Sequence, residues 1–172
     1  MPEWLAGLVP ILPLVAALWI GLNLLLGRMH GEAGERPTSR VALVAAGGSL
    51  AAVLVLIIAR WAGHWPDQVM LGHWLTSGDV RVGLNFVTDG LSLTLLILVV
   101  LACLLTTRFA VNYLHREAGF QRFFLILSLF TAAMTLLVTG GNAVLTFIGW
   151  EVAGLCSYLL IAFFQDRPVA AA

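Results

Sequence analysis

Residues 143–164 read AVLTFIGWEVAGLCSYLLIAFF, an apolar stretch with a single charged side chain, Glu151, near its middle. A helix needs about 20 such residues to cross a hydrocarbon core of about 30 Å, so this stretch predicts a transmembrane span. Four more stretches qualify, at about 4–26, 41–59, 87–107 and 123–139. Together they hold most of the 172 residues. The expected fold is therefore an all-α integral membrane protein, a single membrane domain over 1–172 with about five transmembrane helices.

Composition agrees. Hydrophobic residues make up 60% of the chain and charged ones 10%, against about 25% charged in soluble domains; the mean hydropathy is +0.98. The nine basic residues are all Arg and balance nine Asp and Glu, which leaves no basic excess to bind nucleic acid. Cys103 and Cys156 lie in apolar runs and read as small hydrophobes rather than a disulfide framework. The first span begins at Glu3 without a basic segment, runs long and carries Pro10 and Pro13, so it reads as an uncleaved, kinked span rather than a secretory signal.

Arginine placement orients the chain. Arg28, Arg36 and Arg40 follow the first span, Arg108, Arg116 and Arg122 the third, and Arg167 lies in the tail; Arg60 and Arg81 fall on the other side. Seven against two predicts an outside N-terminus and a cytoplasmic C-terminus in a bacterial-type inner membrane. Between spans two and three, Trp61, Trp65 and Trp74 suit the interfacial aromatic belt. The turn signal Thr76-Ser77-Gly78-Asp79 then precedes an alternating run, Val80 to Phe86. The reading is a short outer β-hairpin, with an irregular loop on the headgroups as the alternative.

Burying a charge in the bilayer costs at least about 2.5–3.5 kcal/mol, so Glu151 is the informative side chain. At helical spacing it shares a face with Phe147, Gly154 and Tyr158, while Gly149, Ala153 and Ser157 form a small-xxx-small row on a nearly opposite face, suited to close helix packing. The carboxylate reads as a proton or ion site, or else as a structural group bonded to a neighbouring helix. Asp89, in Thr88-Asp89-Gly90-Leu91-Ser92, reads first as an N-cap. His115 sits among charges and reads as a candidate proton-exchanging group, although such a histidine is more often a solvated loop residue. His30, His64, His73 and His115 all fall outside the spans, and there is no CxxC, Walker loop or dinucleotide fingerprint. No cofactor, metal site or covalent nucleophile is expected, and any redox or hydrolytic chemistry is assigned to another polypeptide.

The block Asn142 to Ile161, with Gly149-Trp150-Glu151 followed by Gly154-Leu155-Cys156-Ser157-Tyr158, closely resembles the fifth-helix signature of the L chain (chain 5) of respiratory complex I. Asp89-Gly90-Leu91-Ser92-Leu93 resembles that family's start of helix three. Tyr113-Leu114-His115 with Arg122-Phe123-Phe124 resembles the following loop and the entry to helix four. The resemblance covers about residues 80–165. Mrp-type antiporter subunits are related but usually lack this wording.

The resemblance implies a proton-translocating, antiporter-like subunit of a hetero-oligomeric complex, with other membrane subunits and a peripheral catalytic subunit as partners and the lipid bilayer around it. It places the proton-carrying glutamate at Glu151, with Asp89 and His115 as further candidates. In the family that glutamate works with a lysine on a later, broken helix. This sequence contains no lysine and ends soon after the fifth span, so the resemblance is to the N-terminal portion of a longer subunit. Similar chains serve membrane-bound hydrogenases and inorganic-carbon uptake systems, and a non-transporting membrane anchor for a catalytic partner is the alternative of a different class.

The arginine pattern has a direct test. In intact cells, a single cysteine at residue 70 is expected to react with an impermeant reagent and one at residue 34 is not; the reverse pattern inverts the orientation.

Overall fold

A computed structural model describes residues 3–28, 31–77 and 80–164. It contains five long helices: α1 (Trp4–Leu25), α2 (Glu32–Trp61), α3 (Gly90–Tyr113), α4 (Phe120–Thr139) and α5 (Ala143–Ile161). Each is long and apolar enough to cross a membrane. Between α2 and α3 lies an antiparallel hairpin of β1 (Gln68–Ser77) and β2 (Val80–Val87). A short 3-10 turn, Ala162–Phe164, follows α5. Gly78 and Asp79, the centre of the expected turn, lie outside the described residues, as do His30 and Arg167.

Several helix limits differ from those set by hydropathy. α2 starts at Glu32 rather than about 41, because its first turns are polar but still helical. Gly31 at φ 64° turns the chain into it, and Glu32 and Glu35 place negative charge at the positive end of the helix. α3 runs on to Tyr113 and α4 begins at Phe120, which shortens the connection between them. The expected α5 limit of 164 includes the 3-10 turn.

The bundle keeps polar backbone out of lipid by pairing it internally. Pro13 lies inside α1 and has no N–H to give the carbonyl four residues earlier, that of Val9. That carbonyl is instead met by α2, where the Ser49 hydroxyl donates to the Val9 oxygen at 2.9 Å in a fully buried position. Around this bond Val9, Val53, Leu56, Leu96 and Val100 form the core of α1, α2 and α3.

The α4–α5 hairpin closes on the turn Gly140-Gly141-Asn142. Asn142 caps α5 by accepting from the Leu145 N–H at 3.0 Å, and its amide donates to the Gly83 carbonyl at 2.7 Å. Gly141 N–H donates to the Asn85 carbonyl, and Phe86 bridges to Gly140. The β-hairpin is thereby tied to the α4–α5 turn at one end of the bundle. At the other end, the α3–α4 turn meets the start of α2. This alternation matches the grouping of segments read from the arginines.

Trp61 and Trp74 are exposed, as an aromatic belt requires. Trp65 is not: it is 7% exposed, and its indole N–H donates to the Thr88 hydroxyl at 2.9 Å, which in turn donates to the Pro66 carbonyl. Its polar edge found a protein partner instead of the interface.

The Ser49–Val9 bond makes a quantitative expectation. Ser49→Ala should cost about 1–3 kcal/mol by leaving a buried carbonyl unpaired. In a Pro13→Ala background, where the helix regains its own N–H, the same change should cost far less. Denaturant unfolding of the four proteins in detergent completes this double-mutant cycle; equal costs in both backgrounds would refute the pairing.

Candidate functional site

α5 is the most open helix. It packs chiefly on α4, and only 22% of its span is buried, against 50% for α4. Gly149 explains how the two approach so closely: a Cβ there would lie 2.7 Å from the Leu137 nitrogen and 3.0 Å from the Ala133 carbonyl, both α4 backbone. Gly149, Ala153 and Cys156 are buried against α4, while Ser157 is only half-buried. The contact row thus turns onto Cys156 at its far end.

Glu151 is exposed on the side away from that contact, halfway along the helix. Phe147, Trp150, Leu155 and Tyr158 surround it, all more than half exposed, and Gly154 leaves open space beside it. The carboxylate thus sits on an uncovered apolar face and forms no hydrogen bond or ion pair among the described residues.

Asp89 is the N-cap of α3, its carboxylate accepting from the Ser92 N–H at 2.7 Å. That backbone bond and the Ser92 side chain, with a lesser contribution from Arg60, hold its carboxyl below the ordinary value of 3.8 against the opposing effect of burial. His115 lies past the opposite end of α3, in the α3–α4 turn. The structure therefore does not bring Glu151, Asp89 and His115 together: they occupy the middle of α5 and the two ends of α3.

A buried acid that the sequence reading passed over stands beside His115. Glu35 is 7% exposed; its Oε2 is 2.7 Å from His115 Nδ1, and its Oε1 accepts from the Arg116 N–H at 2.9 Å. The available signal was the pair Glu32 and Glu35 three residues apart after Gly31, which marks a helix start. Arg116 also pairs with Glu32 at 2.8 Å.

A multi-pass helical membrane protein with a lone mid-span carboxylate is the class that this geometry defines. The family described as NADH-ubiquinone oxidoreductase (complex I), chain 5 N-terminus, matches residues 74–124. Subunit 5 of the chloroplast NAD(P)H-quinone oxidoreductase of Chlorokybus atmophyticus is 33% identical over 96% of this chain and 25% of its own length. Chain 5 of the Picosynechococcus enzyme is 32% identical over the same shares. Subunit L of the Escherichia coli NADH-quinone oxidoreductase is 45% identical over 57% of this chain and 16% of its own. The chain belongs to this chain 5/subunit L family and spans about a quarter of the length of the curated relatives it matches.

The Asp89 cap carries a pH prediction. A carboxyl held below its unfolded value adds stability at all pH above that value and loses it as pH falls through the folded one. Unfolding measured from neutral pH to below 3.8 should show an acid-side loss in the wild type that is smaller in Asp89→Asn. Superimposable curves would remove Asp89 from the stability of α3.

Proposed function

We propose that this chain is part of a proton-translocating, antiporter-like membrane subunit, with Glu151 as an intramembrane proton site. The observation that supports the reading is a single charged side chain halfway along a transmembrane helix, on the face its own bundle leaves uncovered. A carboxylate in that position is costly in lipid and acquires a purpose only against further protein or water. The names of the relatives, chain 5 and subunit L of quinone oxidoreductases, support a setting in a multi-subunit complex; in our reading further protein covers the α5 face, other membrane subunits adjoin the chain, and a peripheral subunit carries the redox chemistry. The arginine-rich end is cytoplasmic in this reading, and the β-hairpin faces outward.

Asp89 acts here as a helix cap. Gly149 and Ala153 set the distance between α4 and α5 and so fix the height and direction at which Glu151 is presented.

Glu151→Gln keeps the shape and hydrogen-bonding capacity of the side chain but removes its exchangeable proton. In the full-length protein within an intact complex, proton uptake should fall by about two orders of magnitude, the scale of losing a proton-transfer group. Glu151→Asp should retain part of it. Wild-type uptake in the Gln variant would leave Glu151 structural and favour a non-transporting membrane anchor.

A further inference from the structure

The Glu35–His115 contact is not used by a carrier built on Glu151 alone. Glu35 is a buried carboxylate whose two oxygens are both engaged by the α3–α4 turn. The turn is under backbone strain: Arg116, a non-glycine residue, sits at φ 66°, in the left-handed region that L side chains seldom adopt. Three contacts, one of them the Glu35 bond just described, hold it in place. Arg116 pairs with Glu32, the Arg116 N–H is taken by Glu35, and Gln121 donates to the Gly31 carbonyl at 3.0 Å. The result is a fixed imidazole, its side chain 57% exposed, on the wall of a cleft of about 620 Å³ shared with Glu32, Arg36, Ser39 and Asn112.

We propose that Glu35 and His115 form a proton-exchange pair at the arginine-rich end of the bundle, a proposal that rests on the reading of this chain as part of a proton carrier. The carboxylate accepts from Nδ1–H, which selects that tautomer and leaves the Nε2 lone pair for the aqueous phase. Nε2 takes a proton from water or a buffer acid to give an imidazolium that Glu35 balances across 2.7 Å. The same nitrogen then hands the proton to the next acceptor, and the Nδ1–H bond to Glu35 persists throughout. Glu35 is the positioning residue and His115 the exchanging one.

The charged groups facing the pair are few. From α2, Glu32 and Arg36 line the cleft; from the turn, Arg116 is taken up by Glu32, and Glu117 stands on the adjoining surface beside Glu35 and Arg116. α3 contributes the neutral Asn112, and α4 contributes Phe120 and the neutral Gln121. Arg122 is directed away, over the ring of Phe163.

Two measurements on the full-length protein in its complex test the pair. Nitrogen-15 spectra of labelled histidine should show His115 as the Nδ1–H tautomer and Glu35→Ala should shift it to the commoner Nε2–H form. An Nε2–H tautomer in the wild type overturns the geometry. In vesicles with little mobile buffer, His115→Ala and Glu35→Ala should each slow proton uptake at least tenfold, and added imidazole should restore most of the rate. Rescue by a diffusible base is expected of a lost exchange group and not of a distorted fold. An undiminished rate, or a loss that imidazole does not relieve, overturns the proposal. Glu32→Gln, which leaves both bonds to Glu35 in place, should retain the wild-type tautomer even if a Glu35 variant assembles poorly. If Glu151→Gln leaves uptake intact, the carrier reading fails on its own while the tautomer result still stands.

Discussion

Every backbone carbonyl and N–H inside a bilayer must find its partner within the protein, since lipid offers none. A proline within a membrane helix breaks that closure at a known place, and α1 breaks it at Pro10 and at Pro13. At Pro13 the repair comes from a different helix: Ser49 on α2 reaches the Val9 oxygen. One hydroxyl therefore ties α2 to α1 at a fixed height, within a buried cluster that holds Val9, Val53 and Leu56 together with Leu96 and Val100 of α3. The threonines of α4 meet the side-chain counterpart of this constraint locally. Thr131, Thr135 and Thr139 each bond back to a carbonyl of their own helix, so a helix rich in buried hydroxyls carries no unpaired ones among them.

The spans were legible in the sequence because hydropathy over some twenty residues is a strong signal that needs no knowledge of neighbours. What escaped depended on neighbours or on polar helix. The first turns of α2 were hidden by Glu32, Arg36 and Pro37, which read as a loop although the helix already runs through them. Strand β1 was obscured by ladder irregularities around His73, next to Gly72 at φ 153°, which spoil the two-residue alternation that β2 keeps. Trp65 has the composition of an interface residue and the position of a core one, and only the facing Thr88 decides between them.

The candidate site shows the same division. Glu151 stood out from the sequence because a charge in an apolar run is conspicuous, and the small residues opposite it announced the helix contact. Glu35 did not, because its chemistry comes from a histidine eighty positions away in sequence, a pairing that no periodicity records. Asp89 was visible both as a cap and as a candidate carrier. The Ser92 N–H bond accounts for it as a cap, at the far end of α3 from His115.

The knot joining Asn85, Phe86 and Gly83 to the Gly140-Gly141-Asn142 turn has a mechanical consequence. It pins one end of α5, whereas the opposite end rests on Phe163, which meets Phe123 edge to face and lies close to Gly119. Any tilt of α5 that its close contact with α4 at Gly149 permits therefore pivots at Asn142. At about 1.5 Å of rise per residue, Glu151 lies about 13 Å from that pivot, and the helix end lies roughly twice as far. A tilt that moves the tip by a given distance therefore moves the carboxylate by about half as much, and it leaves the pivot itself almost still.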